Sequence, residues 1–165
     1  MKAIVAVDKR WGIGKNNDLL FSIPEDMKFF RQTTLGKVVV MGANTLRSFP
    51  NGNPLKNRTN LVLSTTLKRD DCAVFDSLET LLKEIKKYPK DEVYLIGGAK
   101  LYKTLLPYCE EVLVTKVDAD GDAQVFFENL DALDGWQLIS ESQTLNSNGY
   151  DFKFTTYKNN NVKEI

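Results

Sequence analysis

The sequence predicts an α/β fold: a single domain with a mostly parallel central sheet, flanked by helices and completed by a C-terminal antiparallel hairpin. Three observations carry this. Short β-branched apolar runs of strand length recur along the chain. Helical patterns lie between them, and near the end two longer stretches flank an Asn-Gly turn signal. With 165 residues the chain can bury about 70% of its unfolded surface around one core.

The elements follow in order. Ala3–Val7 is the first apolar run, and Val38–Met41, Asn60–Leu63, Ala73–Phe75, Val93–Ile96 and Val112–Val117 repeat its character. Runs this short, apolar on both parities, suit strands covered on both faces, as in a parallel sheet. Helices are expected over Glu25–Thr34, over Ser77–Lys87 with an S-x-x-T start, and over Ala99–Leu106 up to Pro107. Ser22 and Glu25 have the spacing of a capping box, with Pro24 tolerable in the first turn. Trp136–Ser142 and Tyr150–Lys158 flank Asn146-Ser147-Asn148-Gly149 and read as the hairpin. The domain is drawn as residues 1–158, and residues 159–165 as a polar, frayed tail.

Composition narrows the function classes. Twenty-two basic and 22 acidic side chains cancel, without long blocks of one sign, so neither nucleic acid nor a membrane surface is the expected partner. The first apolar run is too short for a signal segment, and no run approaches the ~20 residues of a membrane helix. Cys72 and Cys109 form no C-x-x-C, which points to two thiols in a reducing cytoplasm. The chain has no histidine. Ser-His and Cys-His catalysis and His-ligated metals are excluded, no metal site is expected, and acid–base work falls to Asp, Glu, Tyr, Lys or water.

Asp26 is out of place in this pattern. At helical spacing it shares a stripe with Phe29, Phe30 and Thr33, while Lys28, Arg31 and Gln32 point elsewhere. A first-turn acid gains roughly 0.3–1 kcal/mol from the helix dipole, which explains its position along the helix but not its aromatic face. Two junctions also stand out. Val38–Thr45 and Val93–Lys100 each run from strand through glycine into a helix, the kind of end that holds phosphate in open α/β sheets, though neither is a G-x-G-x-x-G. The loop Trp11–Asp18 after the first strand mixes turn residues with apolar ones, as a mobile lid over a site would.

Taken together these segments resemble the dihydrofolate reductase family in its bacterial form. The matching pieces are IVAV (Ile4–Val7), WGIGKNNDLLFSIPEDMKFF (Trp11–Phe30), KVVVMGANT (Lys37–Thr45), PLKNRTNLVLS (Pro54–Ser64), VYLIGGAKLY (Val93–Tyr102) and VLVTKVDADGD (Val112–Asp122). They occur in family order over nearly the whole chain. The resemblance implies the dihydrofolate reductase-like fold and NADPH-dependent reduction of 7,8-dihydrofolate to tetrahydrofolate for one-carbon metabolism. Hydride would pass to pterin C6 and a proton to N5. A cytoplasmic monomer with one small-molecule substrate is expected.

The site residues follow from the same resemblance. Asp26 would pair with the pterin 2-amino group and N3, with Thr115 hydrogen-bonded to its carboxylate. Asp26 cannot reach N5, so water beneath the lid residue Leu19 is the expected proton donor. Phe21 departs from the tryptophan frequent in bacterial members and cannot donate an indole N–H to that water. Ile4, Val5, Met27, Phe30, Phe49, Leu55 and Ile96 match the substrate pocket, and Arg58 matches a fork for the glutamate α-carboxylate. For NADPH, Ala6 and Ile13 match carboxamide contacts, and Gly14, Asn17 and Leu19 belong to the lid. Gly42, Ala43, Asn44, Thr45, Leu63, Ser64 and Thr65 match one side of the cofactor cradle. Ile96, Gly97, Gly98, Ala99, Lys100, Leu101 and Tyr102 match the other, with Gly97 and Gly98 joined by a cis peptide.

Two departures concern the cofactor. Ala43 stands where the family commonly has a basic residue, which leaves Lys100 and the hydroxyls of Ser64, Thr65 and Thr66 for the 2′-phosphate. Ala123-Gln124-Val125-Phe126-Phe127 has extra bulk and no proline where the family has G-D-T-x-F-P. Two other readings stay open on the residues alone: a pyrimidine reductase of riboflavin synthesis sharing the fold, and a catalytically silent nucleotide-binding module.

Overall fold

In a computed structural model describing residues 1–165, the apolar runs become strands that hydrogen-bond side by side. In chain order the elements are β1 (Lys2–Val7), β2 (Gly12–Gly14), α1 (Pro24–Thr34), β3 (Val38–Gly42), α2 (Ala43–Ser48), β4 (Thr59–Leu63) and β5 (Ala73–Phe75). They continue with α3 (Leu78–Ile85), β6 (Val93–Gly97), α4 (Ala99–Leu105), β7 (Glu111–Val117), β8 (Val125–Phe126), β9 (Trp136–Glu141), β10 (Leu145–Ser147) and β11 (Tyr150–Asn159). Nine strands form one sheet in the order β10-β11-β7-β1-β6-β3-β4-β5, with β9 also on β11. From β7 to β5 the pairings are parallel, so the carboxyl ends of β1, β6, β3 and β4 share one edge.

Strand alternation decides what lies on each face. Val38, Val40, Leu61 and Leu95 join the larger core with Ala3, Val5, Val7, Val112 and Val114. Their neighbours Val39, Met41 and Val62 form a second cluster with Leu46, against which Phe49, Leu55 and Ile96 pack. Both faces are therefore covered, as the unbroken apolar runs require. On β1 and β7 the residues out of phase with the larger core, Ile4, Ala6 and Thr115, face the opposite side. Ala6 and Thr115 are register partners.

Four expectations are corrected. The capping box does not form: Ile23 is the N-cap of α1 and no side chain caps it. Glu25 instead accepts a hydrogen bond from Ser147 Oγ, and the Ser22 carbonyl accepts one from Asn148 Nδ2 at 2.7 Å. At α3 the local signal holds, with Ser77 accepting from the Thr80 N–H. The Asn-Gly turn joins β10, not the Trp136 strand, to β11; Asn148 and Gly149 both have positive φ. β9 and β10 both lie along one edge of β11, whose other edge pairs with β7.

The tail is docked where fraying was expected. Asn159 ends β11, buried, and its amide reaches the Cys109 carbonyl at 3.0 Å. The Lys163 N–H bonds to the Pro107 carbonyl, and Ile165 packs against the larger core. The loop after β1 also carries regular structure where only a turn was expected: β2 pairs with β8 as a separate two-stranded ribbon. Asn16 and Asn17, both at positive φ, close its tip between Lys15 and Asp18. The bulky departure at Val125-Phe126 is the strand that makes this ribbon possible.

Candidate active site

The N-terminal turn of α1 carries Asp26 to the face displaying Ala6 and Thr115. The buried hydroxyl of Thr115, on β7, donates to Asp26 Oδ1 at 2.6 Å. Burial pushes the Asp26 carboxyl above its ordinary range, and the Thr115 hydrogen bond acts in the opposite direction by favouring the anion. The stripe drawn from the sequence is real: Phe29, Phe30 and Thr33 are half-buried beside Asp26, and Phe29 meets Phe154 with ring centroids 4.6 Å apart. Ala6, Ile13, Leu19, Leu20, Phe21, Ile23, Asp26, Met27 and Val117 enclose about 40 Å³, room for a water molecule beside the carboxylate.

Leu19 and Met27 remain 69% and 57% exposed at the mouth, apolar surface that a flat heterocycle would cover. Phe21 packs on Tyr150 at 4.9 Å. Ile4 and Val5 are buried in β1, and Phe49, Leu55 and Ile96 form a neighbouring wall. Arg58 lies on the loop entering β4, where burial and the like charge of Arg31 push its guanidinium below its ordinary range. The cleft at Asp26 is thus walled by apolar side chains around a single carboxylate.

The second group of expected residues gathers along the strand edge. Met41 is in register with Gly97, and Gly42 with Leu63, so the ends of β6, β3 and β4 lie side by side. They present Gly97-Gly98, Gly42-Ala43 and Leu63-Ser64-Thr65, and the Gly97–Gly98 peptide is cis. A Cβ on Gly97 would stand 2.7 Å from Thr45 Oγ1, on a backbone with φ of 147°, so glycine is required. Gly42 and Gly98 meet nothing closer than 3.6 Å, which leaves main chain free to approach a ligand.

Not every expected cofactor residue turns its side chain to this groove. Leu101 is buried in the larger core, and Tyr102 donates its hydroxyl to the Ile4 carbonyl at 2.7 Å. Ser64 Oγ accepts from the N–H groups of Thr66 and Leu67, while Thr65 and Lys100 are exposed. Asn17 approaches the Asn44 carbonyl at 3.5 Å, and Gly14 lies in β2. A larger cavity of about 360 Å³ lies between α4 and Phe126–Glu128. Neither Asp26 nor Thr115 lines it, and the candidate site is the smaller cleft that holds Asp26.

Sequence reasoning missed several contributors. Leu20, Ile23 and Val117 line the cleft. Asp8, only 3% exposed, accepts from the N–H groups of Arg10, Gly12 and Gly121 and ties the base of the Trp11–Asp18 loop to the segment at Gly121. Thr34 and Asn60 hold Arg58. Asn60 carried a signal, since Asn is disfavoured inside an otherwise apolar strand.

Comparison with known proteins gives the arrangement a family. The model of the family described as dihydrofolate reductase matches residues 1–159. The chain belongs to the dihydrofolate reductase family. It is 35% identical to dihydrofolate reductase of Bacillus subtilis over 162 residues, covering 96% of this chain and 94% of that one. The Haemophilus influenzae dihydrofolate reductase is 34% identical over 154 residues, covering 92% and 93%. Dihydrofolate reductase from Enterococcus faecalis, solved in complex with NADP(H) and RAB-propyl, superposes with a TM-score of 0.84 at 29% identity, covering 96% of this chain and 95% of that one. The sheet order is thus this chain's form of the dihydrofolate reductase architecture.

Proposed function

We propose that this protein reduces 7,8-dihydrofolate to 5,6,7,8-tetrahydrofolate with NADPH as reductant. The observation that carries the reading is the Asp26 carboxylate, held by Thr115 in an apolar cleft beside the glycine-lined edge. A pterin edge presents a 2-amino group and N3 to an acceptor. Thr115 occupies one lone pair of Asp26 and leaves the others for that edge. Apolar walls exclude competing water and strengthen the contact.

The groove at the ends of β3, β4 and β6 fits a dinucleotide on the chemistry of its lining. Gly42 and Gly98 leave main chain exposed, the Ser64 hydroxyl keeps its proton free to donate, and Lys100 enters no ion pair. Bound there, NADPH supplies the hydride for pterin C6. The chain's own residues align, dry and polarise. Tyr102 fixes the Ile4 carbonyl under the cleft, Leu19 and Phe21 shield the ring, and Asp26 holds the pterin while water brings the N5 proton. We read residues 1–158 as the catalytic domain, acting as a cytoplasmic monomer, with the remaining residues docked on it.

The purified protein should consume NADPH, followed at its near-ultraviolet absorbance, only when dihydrofolate is present. Inertness toward dihydrofolate combined with turnover of a ribitylamino-pyrimidine would instead assign the protein to riboflavin synthesis.

A further inference from the structure

Arg58 is an incompletely satisfied guanidinium. Its Nε donates to Thr34 Oγ1 at 2.9 Å and its Nη1 to the Lys56 carbonyl at 3.1 Å. No acid pairs with it, and the charge acting on it is that of another cation, Arg31. The guanidinium therefore keeps N–H donors free for an anion.

What fixes the direction of those donors is unusually explicit. Thr34, 0% exposed at the end of α1, donates its hydroxyl to the Phe30 carbonyl at 2.8 Å. That bond aims an oxygen lone pair at Arg58 Nε. Asn60, 8% exposed in β4, exchanges two bonds with the Leu55 main chain, both 2.9 Å, and donates to the Arg58 carbonyl at 3.2 Å. One residue orients the side chain of Arg58 and the other its backbone. Thr34 also lies eight residues along α1 from Asp26, an axial rise of about 12 Å. A single rigid helix thus spaces the carboxylate grip from the cationic one.

We infer that Thr34 and Asn60 are positioning residues that aim Arg58 at a carboxylate in the tail of the substrate. The inference rests on the dihydrofolate reading. It assigns these residues to recognition of the non-reacting end of the substrate. Neither touches the substrate; both act through Arg58. A bidentate fork tolerates little misorientation, so removing the Thr34 acceptor frees the guanidinium to rotate and weakens the clamp without changing its charge.

The test compares dihydrofolate with dihydropteroate, which lacks the glutamate, in the intact enzyme. Thr34→Val should raise KM for dihydrofolate by about three- to tenfold, lowering the kcat/KM preference for dihydrofolate over dihydropteroate by the same factor. Calorimetric binding of folate to the cofactor-free protein should weaken in parallel. Thr34→Ser should restore both, and Asn60→Ala should lower the preference in the same direction. In an Arg58→Lys background, which has no Nε fork, Thr34→Val should produce no further change in preference. Thr34→Ala serves if valine is not accommodated. Equal losses for both substrates, or an additive loss in the Arg58→Lys background, would make Thr34 merely structural and overturn the inference. Arg58→Leu separates the two levels. If it leaves the preference intact, the carboxylate clamp itself is wrong; if it removes the preference while Thr34→Val does not, only the positioning role fails.

Discussion

Asp26 is placed on an aromatic helix face at an energetic cost that function can justify. Ionising it costs the folded protein more than the unfolded chain, because burial raises its pKa more than the Thr115 hydrogen bond lowers it. A carboxyl with a raised folded pKa leaves stability intact below its unfolded value, near 3.8, and takes stability away as pH rises through the folded value. Asp26→Asn removes that penalty while its amide oxygen can still accept from Thr115. The variant should lose turnover by orders of magnitude at pH 7, since it offers the pterin no anion. Its Tm should exceed that of the parent at neutral pH, and the difference should shrink as pH falls toward 4. Thermal unfolding across that range checks the sign. A Tm gain independent of pH would mean the penalty is not one of ionisation.

At the scale of elements, the lid is the part whose order depends on one buried side chain. Asp8 collects three main-chain N–H groups from Arg10, Gly12 and Gly121, at 2.7 to 3.0 Å. Asp8→Asn turns one acceptor oxygen into a donor and strands at least one of these N–H groups, which costs about 1–3 kcal/mol. The loss should be local. Hydrogen exchange should quicken at Gly12, Gly121 and the β2–β8 ribbon while the amides of β3 and β6 keep their protection. Uniform acceleration across the sheet would show that Asp8 supports the whole fold. The lid also marks what the sequence could not reveal. Strand cores, the Ser77 cap and the Asp26 stripe were legible because each is written within a few residues. The capping box failed because Ser22 and Glu25 are claimed by Asn148 and Ser147, partners more than a hundred positions away. Asp8 escaped notice in part for the same reason, since one of its three donors is the distant Gly121. Asn60 bonds only to nearby main chain, and its sign was the polar residue in an apolar strand.

The whole molecule brings its site together at the shared edge of a parallel sheet, so a ligand bound there holds the ends of β3, β4 and β6 together and stabilises only the folded chain. Saturation at a hundred times Kd contributes about 2.7 kcal/mol, which for a chain of this length raises Tm by roughly 5–10 °C. Cofactor preference can therefore be read from melting alone. Ala43 supplies no charge at the start of α2, and Arg47, one turn on, is engaged by Asn44 Oδ1 at 2.9 Å. We propose the exposed Lys100, which enters no ion pair, as the main cation for a 2′-phosphate, contributing on the order of 1 kcal/mol or less because solvent screens it. Lys100→Ala should reduce the NADPH-induced Tm shift by about 1–4 °C and leave the NADH-induced shift unchanged. Ala43→Arg should enlarge the NADPH shift alone, and added salt should erase both differences, since exposed charges are screened beyond about 10 Å at 0.1 M. Equal losses for the two cofactors in Lys100→Ala would place the role of this lysine in the fold of α4, and the 2′-phosphate would then be read by the hydroxyls of Ser64 and Thr65.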